Sequence, residues 1–314
     1  MDRPAIRVAE RLSPEERAAV ERLNQAAARA DGVPALDEAA TLRLRSQGTS
    51  THLLTDHLAA ETGAHLTGYA RIDPADDGTR PADATADVVV HPDARGRGLG
   101  RALVEEVLSR ANGAPVRVWA HGSHPAAARL ATATGFSPIR ELWLMSHTAG
   151  DPDVDIRTPG GVSIRTFRPD QDEDAWLEAN RAAFEHHPEQ GRWTRADLDA
   201  RMAERWFDPD GFFVAIRDGR LVGFHWTKVH DEPVRGIGPP PVGEIYVLGV
   251  VPEAQGLGLA KALAVTGLRH LRDRGVRNVV LFVEASNPAA IGLYTKLGFR
   301  HVGTDVMYRH PGHR

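Results

Sequence analysis

The sequence predicts an α/β (α+β) chain built from two tandem copies of one domain, each a mixed central sheet flanked by helices, and three observations predict it. The length of 314 residues is about twice the ~150 residues of a common single domain. The chain repeats itself: HPDARGRGLGRAL (His91 to Leu103) matches VPEAQGLGLAKAL (Val251 to Leu263) at an offset of 160, and SHPAAARLATATGF (Ser123 to Phe136) matches SNPAAIGLYTKLGF (Ser286 to Phe299) at an offset of 163. Collinear matches at nearly equal offsets mark a repeat of domain size. Finally, strand-like and helix-like segments alternate without strict βαβ regularity, which suits a sheet with helices on both faces.

Weaker echoes extend the register, Ile6-Arg7 with Ile164-Arg165 and Gly68-Tyr69 with Gly223-Phe224. The predicted domains are residues 1–146 and 162–314, joined by a Gly-, Pro- and Asp-rich linker at 147–161 that lacks any periodicity. In the second copy, a strand over Val162 to Arg168 precedes a helix over Asp172 to Phe184, whose first turn is acidic. A loop rich in His, Pro and Trp follows. Gly211 to Arg217 and Leu221 to Val229 form a hairpin, because Asp218-Gly219 is a strong two-residue turn signal. A strand over Gly243 to Val250 then leads through a glycine loop into a helix over Ala260 to Arg274. Strand Asn278 to Glu284, helix Pro288 to Leu297 and a last strand complete the copy.

Composition excludes several classes. Hydrophobic residues at 42% and charged residues at 25% describe a globular chain. A net charge of -4 without a basic stripe or polybasic segment gives no reason to expect nucleic acid or a membrane as partner. No signal-peptide core and no run of about 18 apolar residues is present, so a cytoplasmic protein is expected. Cysteine is absent, which removes disulfides, thiolate metal sites and a cysteine nucleophile.

Chemistry enters with the glycine loops. Gln255-Gly256-Leu257-Gly258-Leu259-Ala260 lies between a strand and a helix, where glycines let backbone N–H groups close on a ligand. Those donors and the helix N-terminus favour a phosphate or pyrophosphate, with Lys261 adding charge. Arg95 to Gly100 repeats the loop in the first copy. Neither loop has the Gly-Lys-Ser/Thr of a Walker motif, and Arg101 and Lys261 stand where a dinucleotide fingerprint needs its third glycine.

What remains, Gln/Arg-x-x-Gly-x-Gly/Ala followed by an Asn/His-Pro-Ala-Ala helix that ends in Gly-Phe, resembles the GNAT N-acetyltransferase superfamily. The resemblance implies acetyl-CoA as co-substrate, with pantetheine on the strand and pyrophosphate in the loop. It assigns Leu248, Gly249, Val250, Gln255, Gly256, Leu257, Gly258, Leu259, Ala260 and Lys261 to the cofactor, with Asn287, Pro288, Ala289, Ala290, Ile291 and Gly292 on its far side. In the first copy it assigns Val88, Val89, Val90, Gly96, Arg97, Gly98, Leu99, Gly100 and Arg101.

Acetyl transfer to an amine needs an uncharged amine, a polarised thioester carbonyl and a proton for the leaving thiolate. Tyr294 stands where members of the superfamily carry the tyrosine that protonates the CoA sulfur; Glu244, on the strand before the loop, is placed to accept the amine proton directly or through water. At the repeat offsets their counterparts are Ala131 and Ala84, so the first domain is expected to keep the cofactor loop without catalytic groups. The residue-level alternatives are a core aromatic for Tyr294 and a structural carboxylate for Glu244.

Longer blocks, HHPEQGRWT (186–194), WFDPDGF (206–212), GFHWTKVH (223–230), GEIYVLGVVPEAQGLGLAKAL (243–263) and FVEASNPAAIGLYTKLGF (282–299), with DGVPALDE (31–38) in the first copy, resemble the mycothiol synthase family. That resemblance implies a cysteinyl amine acceptor, desacetylmycothiol, contacted by Glu189, Lys228 and Glu244, with Glu38 from the first domain. Where family members often read Tyr-Val-Glu, this chain has Phe282-Val283-Glu284, so one hydroxyl contact to the acceptor is expected to be missing. The alternatives are an acetyltransferase for another amine, such as an aminoglycoside or a protein N-terminus, and a non-catalytic acetyl-CoA sensor. His186, His187, His225 and His230 form no known ligand spacing, so no metal is expected and they read as solvated or substrate-facing. Trp176, Trp193, Trp206 and Trp226 read as core and cleft walls. A monomer is expected.

Overall fold

The computed structural model describes residues 5–45, 50–57, 65–74, 83–148, 158–187 and 190–312. The first repeat contains β1 (Arg7–Ala9), α1 (Pro14–Asp31), α2 (Glu38–Arg45), β2 (Thr51–His57), β3 (His65–Asp73), β4 (Ala84–Val90), α3 (Leu99–Arg110), β5 (Val116–Ala120), α4 (Pro125–Ala133) and β6 (Ser137–Thr148). The second contains β7 (Val162–Thr166), α5 (Glu173–Ala183), α6 (Arg195–Met202), β8 (Phe212–Arg217), β9 (Arg220–His230), β10 (Val242–Val250), α7 (Leu259–Asp273), β11 (Asn278–Glu284), α8 (Pro288–Lys296) and β12 (Arg300–His310). Two α/β units result, each with a mixed sheet.

Local chemistry explains the element ends. Ser13 caps α1 in a reciprocal box with Glu16, Pro14 opens the helix, and Gly32 closes it in the left-handed region at φ 72°. The expected hairpin forms between β8 and β9, with Asp218 at φ 49° and Gly219 at φ 77°, the double positive φ of a type I′ turn. One helix departs from expectation: α6 interrupts the segment read as a loop. Its start is a second capping box, in which Thr194 Oγ1 accepts from the Asp197 N–H and the Asp197 carboxylate accepts from the Thr194 N–H. Histidines and tryptophans upstream of it masked that signal.

The compact units do not follow the repeat boundaries. Unit 1 comprises residues 1–143, 284–286 and 303–314, and unit 2 comprises 144–283 and 287–302. In unit 1 the strand order is β1-β2-β3-β4-β5, with β4 and β5 parallel and the other neighbours antiparallel. The free side of β5 is covered by the last strand of the chain, in the register Val306↔Ala120 to His310↔Val116. Asp305 on that strand accepts from the Gly122 N–H and lies 2.8 Å from His121 Nδ1, while Arg309 holds Asp83. In unit 2 the order is β11-β10-β9-β8-β7, with β10 and β11 parallel, and residues 144–148 of β6 lie beside β11. The sequence-derived spans 1–146 and 162–314 are therefore corrected at both ends, because the closing strand of each repeat is exchanged. Likeness between repeats identifies which strand is which and carries no information about which edge it joins. Most of the expected linker, residues 149–157, lies outside the described residues.

The core of unit 2 is aromatic. Trp176 and Trp226 are fully buried and pack with Phe212, Phe224 and Phe167, Trp226 stacking on Phe212 at 4.4 Å. Unit 1 relies on aliphatic side chains, with Leu103 and Val107 of α3 clustered with Leu53 and Val116, and Val20 and Leu23 of α1 clustered with Leu54.

Candidate active site

Both glycine loops adopt one backbone. Gly96 and Gly256 have φ 75° and 76°, and Gly98 and Gly258 have φ 83° and 82°, values that an L side chain rarely takes. Gly98 and Gly258 are also the N-caps of α3 and α7 and make no side-chain cap bond. The first-turn N–H groups of both helices are thus presented without a capping side chain, as an anion needs. Arg95 Nε donates to the Val90 carbonyl as Gln255 Nε2 does to Val250, so the first residue of each loop is tied to the end of the preceding strand. Gly256, Leu257, Gly258 and Lys261 are exposed, and Leu259 is buried as the anchor of α7.

Beside each loop, two parallel strands separate. β4 pairs with β5 only from Ala84↔Val116 to Ala86↔Val118, and β10 with β11 only from Val242↔Asn278 to Ile245↔Leu281. Val88 to Val90 and Leu248 to Val250 lie beyond these ladders, on the side where the parallel partner strand has diverged. In unit 1 a cavity of about 410 Å³ occupies that space, lined by Val88, Val89, Val90, Gly96, Gly98, Leu99, Gly100 and Arg101 among others. Arg97, expected with them, does not line it. Asn287 caps α8 through Oδ1, which accepts from the Ala290 N–H, and Asn287 to Ala289 are exposed.

The two units differ one turn of strand upstream. Across β9, the register of β10 shifts between Ile245 and Val247, leaving Tyr246 as an extra residue; β3 and β4 pair without a shift. A bulge of this kind re-aims side chains next to it. It also corrects the expected counterpart of Glu244. Glu244 pairs with Lys228 on one side and Val280 on the other, and the matching pairings in unit 1, Asp73↔Thr85 and Thr85↔Arg117, identify Thr85 rather than Ala84. Thr85 likewise has no carboxylate.

Around Glu244 the structure brings Lys228, His230, Trp193 and Trp206 together with Tyr246, Arg201 and Arg235, which sequence reasoning did not name. Its carboxylate is buried, 7% exposed, and His230 Nε2 lies 2.6 Å from Oε2. Burial pushes the carboxyl up, but the His230 hydrogen bond and the charges of His230, Lys228 and Arg235 outweigh it, so the group sits below the ordinary glutamate value. Lys228, 9% exposed, has its Nζ 4.4 Å from the Trp206 ring centre and 5.1 Å from that of Tyr246, a desolvated cation held by two π faces. Tyr246 is oriented in turn by Arg201, whose Nε donates to its hydroxyl at 2.9 Å and whose guanidinium lies 3.8 Å over Trp193. Trp193 and Trp206 thus wall this group, while Trp176 and Trp226 are core. The signal available in the sequence was spacing: Lys228 and His230 share one face of β9 at the period of two.

Tyr294 is buried on α8 and packs edge-on against Phe299 at 5.8 Å, and burial raises its phenol well above the ordinary tyrosine value. Its counterpart Ala131 is also buried. Phe282 is exposed on β11, with the Arg235 guanidinium 5.2 Å over its ring. Glu38 is the half-buried first residue of α2 in unit 1, and Glu189 lies outside the described residues. His225 departs from the expected exposed histidine. It is fully buried against α7, Nδ1–H donating to the Leu263 carbonyl at 2.8 Å, and it fits because a Cβ at Gly267 would overlap the imidazole. Desolvation pushes it down to about 4. Among the described residues no cluster of three or more His, Cys, Asp or Glu could hold a metal, and no helix is long and apolar enough to cross a membrane.

Comparison with known proteins matches residues 174–299 to the acetyltransferase (GNAT) family and residues 53–138 to an acetyltransferase (GNAT) domain. The chain is 50% identical to mycothiol acetyltransferase of Thermomonospora curvata over 99% of both chains. It is 48% identical to that of Streptomyces coelicolor over 95% of this chain and 93% of the relative. The chain belongs to the mycothiol acetyltransferase family. It is an acetyltransferase of mycothiol biosynthesis, built from two tandem GNAT domains, and GNAT acetyltransferases use acetyl-CoA. Solved structures agree on the fold. A GCN5-related N-acetyltransferase from Sphaerobacter thermophilus superposes with a TM-score of 0.65 at 28% identity, covering 99% of this chain and 98% of that one. A tandem GNAT protein from the clavulanic acid biosynthesis pathway gives 0.72 at 21%, covering 97% and 98%.

Proposed function

We propose that this member of the family transfers the acetyl group of acetyl-CoA directly to the cysteinyl amine of desacetylmycothiol, giving mycothiol and CoA, and that the second unit carries the reaction. The observation that carries the reading is the buried Glu244, bonded to His230 and facing Lys228, on the bulged strand that leads into the Gly256–Gly258 loop.

The α7 loop holds the pyrophosphate of acetyl-CoA, and the strand backbone at Leu248 to Val250 holds its pantetheine arm where β10 and β11 part. The acceptor brings an ammonium, a thiol and sugar hydroxyls. A cysteinyl α-amine titrates at or below about 7.7–8.0, so much of it is already neutral near pH 7.5 and a modest base is enough. Glu244 stays ionised because His230 and Lys228 stabilise the carboxylate. His230 occupies Oε2 and leaves Oε1 to accept the amine proton through a water. The neutral amine attacks the thioester carbonyl, the C–S bond breaks, and Tyr294, kept protonated by burial, gives its proton to the departing thiolate. Glu189, Lys228 and the first-unit Glu38 bind the acceptor. The first unit, with Thr85 and Ala131 at the corresponding places, holds cofactor without catalysing transfer. The chain acts as a monomer in the cytoplasm and needs no metal.

Purified chain given acetyl-CoA and desacetylmycothiol is expected to add one acetyl group to the acceptor amine, read by mass spectrometry. An unmodified acceptor, with aminoglycosides or peptide N-termini acetylated instead, would replace this reading with that of a GNAT enzyme for another amine.

A further inference from the structure

The first-unit cavity differs from the second unit's cleft where Tyr294 has become Ala131. We propose that the first unit binds an acyl-CoA thioester whose acyl chain is longer than acetyl, with the chain in the apolar space beside Ala131. This rests on the reading that each glycine loop holds the pyrophosphate of a CoA thioester, and it adds the class of acyl group.

The cavity is polar at one end and apolar at the other. At its mouth are the loop of Gly96 and Gly98, the uncapped start of α3 and the exposed Arg101. Asp31 also lines the mouth, but both of its oxygens are held by Arg95 at 2.7 Å and one lies 3.6 Å from His124, so its charge is matched before a phosphate arrives. The inner wall is formed by Val104, Val118, Leu130, Ala131, Phe136 and Tyr308, most of them part of the aliphatic core. A volume of about 410 Å³ falls within the ~300–1,000 Å³ of ordinary small-molecule sites.

The repeat shows what opened the inner end. Ala131 aligns with Tyr294 and Phe136 with Phe299 at the same offset of 163. In unit 2 the Tyr294 ring fills the space beside Phe299. In unit 1 the methyl of Ala131 replaces the phenol, and Ala131 and Phe136 both line the cavity; the histidine against each phenylalanine, His310 on Phe136 and His147 on Phe299 at 5.3 Å, is common to the two. The space a ring would fill is lined by hydrocarbon, which suits methylene groups and leaves a water with few polar partners. The Tyr-to-Ala difference removes a whole phenol ring, against which an acetyl offers a single methyl. The ligand is held and not consumed there, since the strand lacks the bulge and Thr85 and Ala131 offer no base or acid.

Calorimetric titration of the full chain with CoA, acetyl-CoA, butyryl-CoA and hexanoyl-CoA tests the assignment. One of the binding steps is expected to tighten about fourfold per added methylene until the space is full, the value of burying one such group. Ala131→Tyr should abolish that gain, and the smaller Ala131→Leu should shorten the chain length at which it stops. The step at the other loop serves as internal reference. Equal affinity for all thioesters at every step, a gain that survives both substitutions, or the absence of a second step would overturn the proposal. Should Ala131→Tyr unfold the unit, the wild-type chain-length series decides by itself whether the gain exists. A chain that fails to acetylate desacetylmycothiol yet shows the length-dependent step would refute the acceptor assignment and leave this one standing.

Discussion

The two units share a cofactor loop nearly degree for degree, and they part within one strand. Gly96 and Gly98 match Gly256 and Gly258 in φ within a degree, while β10 carries the extra residue Tyr246 that β4 lacks. On the function proposed above, the contrast teaches that the site for the phosphates and the site for the chemistry are separable in this fold. The loop depends on glycines that tolerate positive φ, a local property that survives in either copy. The proposed reactive group depends on an inserted residue, which moves everything upstream by one register position, and on Glu244, His230 and Tyr294 being present together.

Substitutions that make unit 2 more like unit 1 should break the contrast most. Glu244→Gln, which removes the base and keeps the shape, is expected to lower kcat by roughly 10²–10⁴-fold, the usual worth of general base catalysis, while acetyl-CoA still binds with wild-type affinity by calorimetry. Tyr294→Phe should cost about 10²-fold in kcat at unchanged cofactor affinity, because the thiolate then leaves without its proton donor.

Acid should distinguish the units next. His225 has a folded value of about 4 against an ordinary 6.5, and its place in unit 1 is taken by Ala70. A depressed value means that the folded state resists protonation. The stabilisation is fully present above pH 6.5 and is lost as pH falls towards 4, by roughly 3 kcal/mol in total. Urea unfolding followed by hydrogen exchange at pH 7 and pH 4.5 should show unit 2 losing more protection than unit 1, and His225→Gln should shrink the difference.

His230→Gln is a smaller perturbation, about tenfold in kcat, with a specific signature. His230 is the first of the groups that lower the Glu244 value against its burial, so its removal raises that value. The acidic limb of the pH–kcat profile should therefore move to higher pH; a uniform loss at all pH would assign His230 a packing role only. The smallest effect is expected from Phe282→Tyr, which adds a hydroxyl at an exposed position on β11. One hydrogen bond to the acceptor is worth about 0.5–1.5 kcal/mol, so KM for the acceptor should fall several-fold with kcat and cofactor affinity unchanged.

What the sequence made legible was local. The loop glycines, the Asp218-Gly219 turn and the strands and helices around them follow from φ preference and periodicity, and they lie within a residue or two of their expected limits. The features it hid are those set by partners far along the chain. His230 and Glu244 are brought to bonding distance only by the β9–β10 register. The Tyr246 bulge is hidden in the spacing: Gly68 lies 28 residues before Gly96 and Gly223 lies 33 before Gly256, and only the ladders divide that difference into a longer β9–β10 connection and one bulged residue. Arg201 reaches Tyr246 from a helix whose capping box was overlooked.

The exchanged last strand gives this chain an unusual order of completion. Residues 303–314, which cover the side of β5 in unit 1, are made some 180 residues after β5 itself. Domains ordinarily fold in the order in which they are made; here the half that is translated first has an uncovered strand edge throughout the synthesis of the half translated second, and an uncovered edge invites pairing with other chains. The early half must keep that edge vacant until those residues arrive, so the nascent protein is most exposed to aggregation at β5 of unit 1.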